Sequence, residues 1–335
     1  MYICNDCPRN CGIDRTKEKG FCGMGLEPKI ARASVHMWEE PPISGGNGSG
    51  TVFFSGCNLK CEFCQNKEIS KKQFGETVTV ERLKEIYKEL ISQGVNNINL
   101  VTPTHFLDAI LKSLDKPLSV PVVYNCGGYE NIKSLKKLEG KINIYIPDLK
   151  YADDNLAFDY SGAKNYFEIA TNAIKEMFRQ VGKYEINDAG IMQSGVIIRH
   201  LVLPGQIENS KKVIDWVSKN FNDGDILFSL MSQFTPNSDC KKDELYRRLT
   251  QEEYDEIADY LYESGIEDGF MQELSSAKEE YTPEFDLTGV KSSAECKVQS
   301  AKCWVMGPAV GIVLNINRNK YILSFLVDCK TNFKW

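Results

Sequence analysis

From Thr51 onward the chain alternates short apolar runs with amphipathic stretches, and few folds accept that rhythm. The runs are "TVFF", "INLV", "PVVY", "INIYI", "GVIIRHLVL" and "DILFSL", short and apolar enough for strands covered on both faces. Between them, "VERLKEIYKELISQG" places Leu83, Ile86, Tyr87, Leu90 and Ile91 on one helical face, with Thr79 as N-cap and Gly94 as the stop. "AKNYFEIATNAIKEMFRQVG" repeats the pattern through Phe167, Ala170, Ile174 and Met177, and the helix after "LPGQIEN" turns Val213, Trp216 and Val217 inward. Six such β-α units predict an α/β fold, a partial or full parallel barrel, spanning residues 50–290. A chain of 335 residues suits one such domain with a small appendage.

The flanks break the rhythm. Residues 1–49 are rich in Cys, Gly and Pro, end in "SGGNGSG" and show little continuous periodicity, so a small metal-held cap is expected there. Residues 291–335 form a C-terminal extension with a new apolar run, "YILSFLV", expected to be either an extra packed element or a loosely ordered end. No apolar run is long enough to span a bilayer, and "MYICNDCPRN" lacks the basic-then-apolar order of a secretory signal, so a cytoplasmic protein with no membrane contact is expected. A net charge of -6 argues against broad binding of polyanions, and nucleic acid is not an expected partner.

Cysteine placement is the strongest chemical signal. Of twelve cysteines, seven precede residue 65: Cys4, Cys7, Cys11, Cys22, Cys57, Cys61 and Cys64. The last three follow "TVFF" directly, in a loop at the carboxyl end of the first predicted strand, the end where parallel barrels carry their active sites. Three thiols are one short of a closed zinc site. A 4Fe-4S cubane held by three cysteines leaves one iron open to an exogenous ligand. Structural zinc, or three unrelated buried thiols, are the alternatives.

The spacing Cys-x3-Cys-x2-Cys in "SGCNLKCEFCQN" resembles the signature of the radical S-adenosylmethionine (SAM) superfamily, whose members fold as partial parallel (β/α)6 barrels. The resemblance implies a 4Fe-4S cluster on Cys57, Cys61 and Cys64, with SAM on the open iron cleaved reductively to a 5′-deoxyadenosyl radical that abstracts hydrogen. "ARASVHMWEEPPISGGNGSGTVFF", "NLVTPTHF", "PDLKYAD", "IIRHLVLPG" and "SLMSQFTP" further resemble the branch of pyruvate formate-lyase activating enzymes, over residues 1–290. That likeness implies a low-potential donor such as flavodoxin or ferredoxin, and a glycyl-radical enzyme as the protein substrate. It also implies SAM contacts from Thr102 and Thr104, where other members carry a Gly-Gly-Glu run, and from Asp148 and Lys150 of "PDLK". Arg199 is favoured over His200 as partner of the SAM carboxylate or ribose. From the residues themselves, Asn125 and Gly127 sit where a strand end and an absent side chain permit close approach. Radical modification of another peptide, an RNA or a small molecule is the competing reading, and a non-catalytic iron-sulfur or metal module the one from another class.

Cys4, Cys7, Cys11 and Cys22 give Cys-x2-Cys-x3-Cys-x10-Cys in a segment too poor in apolar residues to fold alone, so a second metal site is expected, zinc or a further iron-sulfur cluster, with free or redox-active thiols the alternative. Cys126, Cys240, Cys296, Cys303 and Cys329 stand apart and are expected to be buried small hydrophobes. Of the three histidines, His36 and His105 are as readily structural as functional, and His200 is expected in the core.

Overall fold

The computed structural model describes residues 1–274, 283–291 and 313–315. Its strands are β1 (Lys29–His36), β2 (Ser49–Phe54), β3 (Glu76–Thr77), β4 (Ile98–Val101), β5 (Val122–Cys126), β6 (Ile144–Pro147), β7 (Glu185–Ile186), β8 (Met192–Leu201), β9 (Leu227–Met231), β10 (Gly269–Gln272) and β11 (Val313–Asn315). They form one sheet in the order β11-β10-β9-β8-β6-β5-β4-β2-β1-β3, with β7 beside β8. From β2 to β10 every neighbour along the path is parallel, while β1, β3, β7 and β11 pair antiparallel. The path ends at β3 and β11 without closing. The sheet nevertheless curves, because the loop after β2 meets the loop after β9: Gln65 Nε2 donates to the Gln233 carbonyl at 2.9 Å, and Lys71 pairs with Asp239 at 3.2 Å.

All six predicted strands are present, and five that sequence reading does not predict join them, two of which shape the sheet around the site. The first is β10, whose Gly269 leaves no room for a side chain against the Phe228 backbone. The second is β1, which pairs with β2 across the 49/50 boundary, so the amino-terminal segment is continuous with the sheet. "YILSFLV", Cys296, Cys303 and Cys329 lie outside the described residues.

Strand residues alternate between two layers. Val52, Phe54, Leu100, Tyr124 and Ile198 face the helices in the main core, with Leu83, Ile86, Tyr87 and Leu90 of helix Val80–Ser92 and Ala170, Ile174 and Met177 of helix Tyr166–Val181. Thr79 caps the first of these helices by accepting from the Arg82 N–H, and Gly94 follows it with a φ of +82°. Val123, Ile144, Ile146, Ile197 and Leu227 line the other face, and Ile43 from the β1–β2 connection packs among them. Asn96 and Asn97, just before β4, bond to the Ser44 and Ile43 carbonyls. The connection "EEPPIS" thus forms a floor at the amino ends of the strands, leaving their carboxyl ends open.

Candidate active site at the carboxyl ends of the strands

Above the apolar floor the inward-facing positions change to polar ones. Arg199 of β8 gathers them: its Nε donates to Asp148 Oδ1 at 2.8 Å and its Nη2 to Asn125 Oδ1 at 2.7 Å, while Nη1 lies 3.5 Å from Glu39 and 3.7 Å from Glu40. Lys150 Nζ pairs with the second oxygen of Asp148. Asp148 continues β6 by a parallel bridge to Arg199, which is why residues 51 positions apart meet. Burial favours the neutral Asp148 acid, but Arg199 and Lys150 outweigh it and hold this carboxyl below the ordinary range. Burial pushes the Glu39 and Glu40 carboxyls upward against the pull of Arg199.

The three-cysteine loop stands directly on this network. Gly56, the residue before Cys57, has a φ of +82°, and a Cβ there would lie 2.7 Å from the Cys22 carbonyl, so only glycine admits the turn. The sulfurs receive donors: the Leu59 N–H points at Cys57 Sγ at 3.4 Å and the Ser161 hydroxyl at Cys61 Sγ at 3.0 Å. Ser70 Oγ lies 3.3 Å from Cys64 Sγ. Burial, then the neighbouring thiol Cys61, raises the Cys57 and Cys64 thiols, with Lys150 the nearby cation working the other way. A ligating metal reverses that burial penalty. The three sulfurs therefore suit a thiolate-bound cluster: Cys61 is buried and Cys57 and Cys64 half-buried beside it, supplied with hydrogen bonds and held near a cation. Among the described residues, no three His, Cys, Asp or Glu side chains converge tightly enough for a single ion.

The residues singled out in the sequence fall into two groups. Cys57, Cys61, Cys64, Asn125, Asp148, Lys150 and Arg199 come together at this mouth. Thr102 stands at the end of β4 with a φ of +60°. Thr104 is buried instead, its hydroxyl donating to Glu130 Oε1 at 2.6 Å. At Gly127 the space is already taken, since a Cβ would lie 2.9 Å from Leu59 Cδ1; this glycine admits the cysteine loop itself. His200 is a core residue between the Leu149 carbonyl and Ser210, and burial lowers it to about 4. His105 Nε2 donates to the Ser55 carbonyl at 2.7 Å, and burial lowers this histidine to about 3. Cys126 and Cys240 are buried. Sequence reading does not single out Glu39 and Glu40, because two acids before a proline pair resemble a solvated turn.

A mostly parallel sheet with three cysteines in the loop after its first parallel strand defines a class, and sequence comparison agrees. A profile described as the radical SAM superfamily matches residues 51–217. An uncharacterized protein of Methanocaldococcus jannaschii is 33% identical over 263 residues, 75% of this chain and 71% of the relative. The chain belongs to the radical SAM superfamily. Among solved structures, SuiB of Streptococcus suis bound to S-adenosylmethionine aligns over 67% of this chain and 50% of its own, at 14% identity and a TM-score of 0.45. Methylornithine synthase (PylB) aligns over 70% of this chain and 64% of its own, at 17% identity and a TM-score of 0.45. The chain thus spans about half to two thirds of the length of these structures. Membership implies an enzyme with a 4Fe-4S cluster and SAM. No helix among the described residues is long and apolar enough to cross a membrane.

Proposed function

We propose that this cytoplasmic enzyme cleaves SAM reductively at a cluster held by Cys57, Cys61 and Cys64, and passes hydrogen abstraction to a partner protein, a glycyl-radical enzyme of the pyruvate formate-lyase type. When bound, the cluster supplies an electron and an open iron site to SAM. The observation carrying this reading is that the three thiols stand within electrostatic reach of Lys150, itself paired to the Asp148–Arg199 network. The polar groups on this chain match the polar groups of SAM by charge. Lys150 complements its carboxylate, and Asp148, Thr102 and Asn125 complement its amine and ribose hydroxyls. Arg199 already spends its donors on Asp148, Asn125 and the two glutamates, so its role is to fix Asp148 and thereby aim Lys150. A flavodoxin or ferredoxin is the proposed electron donor.

Two measurements test the reading. Anaerobic reconstitution with iron and sulfide, followed by dithionite and SAM, should release 5′-deoxyadenosine, and Cys57→Ala, Cys61→Ala and Cys64→Ala together should abolish it. Release by that triple variant would refute the assignment. Incubation with a candidate glycyl-radical enzyme and then air should cut its backbone at the radical glycine, seen by electrophoresis; an intact partner refutes the proposed target and leaves the SAM chemistry standing.

A further inference from the structure

We propose that Glu39 and Glu40, with Asn99 beside them, form a substrate subsite beneath Arg199 that takes a protonated nitrogen, a primary ammonium or a guanidinium. The subsite goes beyond the proposed reaction and is tested without it.

The first support is a charge count. Asp148, Glu39 and Glu40 face two cations, Lys150 and Arg199, so one negative charge stays unmatched in a largely buried site. The cations are unevenly shared. Asp148 has one on each oxygen, Arg199 Nε at 2.8 Å on Oδ1 and Lys150 Nζ on Oδ2. Glu39 and Glu40 divide the single Nη1, at 3.5 and 3.7 Å, longer than a good hydrogen bond. Among the described residues neither acid has another ion-pair partner, and Glu40 Oε2 is buried with no hydrogen bond. One carboxylate would suffice to orient Arg199. A second at that distance adds desolvation cost, which a further cation offsets.

The backbone explains why these carboxylates point inward. Glu40 is the N-cap of the short helix Pro41–Ser44, and its carbonyl accepts from the Ile43 and Ser44 N–H groups. Its side chain makes no capping bond. An acid at a helix start ordinarily bonds the free N–H groups there, but Pro41 and Pro42 have none to offer. The carboxylate turns to Arg199 instead. Beside it, the Glu39 N–H donates to Ser44 Oγ at 3.0 Å, which holds the preceding residue against the same turn. Each acid keeps 8% exposure, so a solute entering at the open mouth reaches it.

Asn99 is the independent observation. Its Cα pairs in register with Thr51 of β2 and Val123 of β5. Val123 belongs to the inner apolar layer with Ile144 and Ile43, so Asn99 faces the same interior, where an apolar residue would pack. It is 0% exposed, and neither Oδ1 nor Nδ2 has a hydrogen-bond partner, although Glu39 is the acid it approaches. A buried polar group left unbonded costs about 1–3 kcal/mol, and a ligand that bonds it removes the cost. An ammonium or guanidinium carries at least three N–H donors, enough for Oδ1, Glu39 and Glu40 together. A neutral alcohol brings one donor, so the subsite selects for charge.

The probes are n-butylamine hydrochloride, its neutral counterpart 1-butanol, and N-acetyl-lysine methylamide. Each is titrated by calorimetry into the full chain, reconstituted anaerobically with iron and sulfide. The ammonium should bind at least about tenfold tighter than 1-butanol, and Glu39→Gln with Glu40→Gln should remove that difference. Asn99→Leu should weaken the ammonium about fivefold. Binding of the lysine derivative as well assigns the nitrogen to a peptide side chain, and binding of n-butylamine alone assigns it to a free amine; either supports the subsite. Equal binding of n-butylamine and 1-butanol, or undiminished ammonium binding in the double variant, overturns it. Displacement of n-butylamine by SAM also overturns it, by giving the acids to the cofactor. Should the double variant not fold, the wild-type chain decides: n-butylguanidinium, and not 1-butanol, should slow carbodiimide coupling of glycine ethyl ester to Glu39 and Glu40, mapped by mass spectrometry. Coupling unchanged by n-butylguanidinium would count against the subsite. None of these failures touches the 5′-deoxyadenosine result, so the two readings fail separately.

Discussion

Arg199 differs from a surface ion-pair partner because three carboxylates depend on it in a largely buried site. Asp148, Glu39 and Glu40 all lie within 3.7 Å of its guanidinium or closer, and all are buried or nearly so. Removing one partner of a buried network leaves uncompensated charge, which typically costs about 3–5 kcal/mol. Arg199→Met is expected to lose stability in that range near neutral pH, measured by urea denaturation. The loss should shrink at acid pH, because raised carboxyls take up protons in the folded state and their contribution is present at low pH and lost as pH rises. Equal losses at pH 5 and pH 8 would show that the network is not charged as described.

Glu130 supplies a second residue-scale case with the opposite surroundings. It is buried with no cation beside it, accepting from Thr104 at 2.6 Å and from Tyr124 at 3.1 Å, and burial raises it from 4.5 to about 7. Its folded value exceeds its unfolded one, so its stabilising contribution is complete below about pH 4.5 and is lost as pH climbs to about 7. Glu130→Gln removes that titration. Relative to wild type, the variant should gain on the order of 3 kcal/mol between pH 4.5 and pH 8, and parallel stability curves would contradict this assignment.

At the scale of elements, legibility followed burial. Strands such as "INLV" and "PVVY" announced themselves because both faces are covered and, Asn99 apart, their residues are apolar. The β1 strand, "KIARASVH", hid because a register shift between Ile30 and Arg32 breaks its alternation and because polar residues share it. The cysteine loop was legible as chemistry, yet Glu39 and Glu40 were not, since only the fold brings the β1–β2 connection beneath Arg199. The loop and the amino-terminal segment meet at Gly56, and that contact predicts a consequence. Gly56→Ala must hold a left-handed φ, costing about 1–2 kcal/mol, and drive its methyl into the Cys22 carbonyl and Met24. A loss above about 2 kcal/mol, with lower iron uptake at the cysteine loop, is expected from denaturation and iron assay. Unchanged stability would mean that the two segments do not touch there.

On the whole-molecule scale, the amino-terminal segment divides at a different place from its composition. Cysteine and glycine content suggests a boundary at 49/50, but residues 29–49 supply β1, which covers the edge of β2, and the floor residue Ile43 with Glu39 and Glu40. Ile30, Ala31 and Ala33 are buried, and Ala31 and Ala33 bond through their backbones to Leu287 and Thr288. Deleting residues 1–49 would therefore bare a central strand, open the inner apolar layer to water and leave Arg199 without two of its carboxylates. Deleting residues 1–26 removes the four-cysteine segment with Met24 and the Arg15 bonds, a smaller loss from one end of the sheet. The longer deletion is expected to yield aggregated protein or a melt without a cooperative transition. The shorter should keep a cooperative transition at a reduced melting temperature, both read by circular dichroism on anaerobically purified protein. If both truncations melted as wild type does, β1 would be an appendage; the buried pairing of its residues with β2 argues that it is part of the sheet.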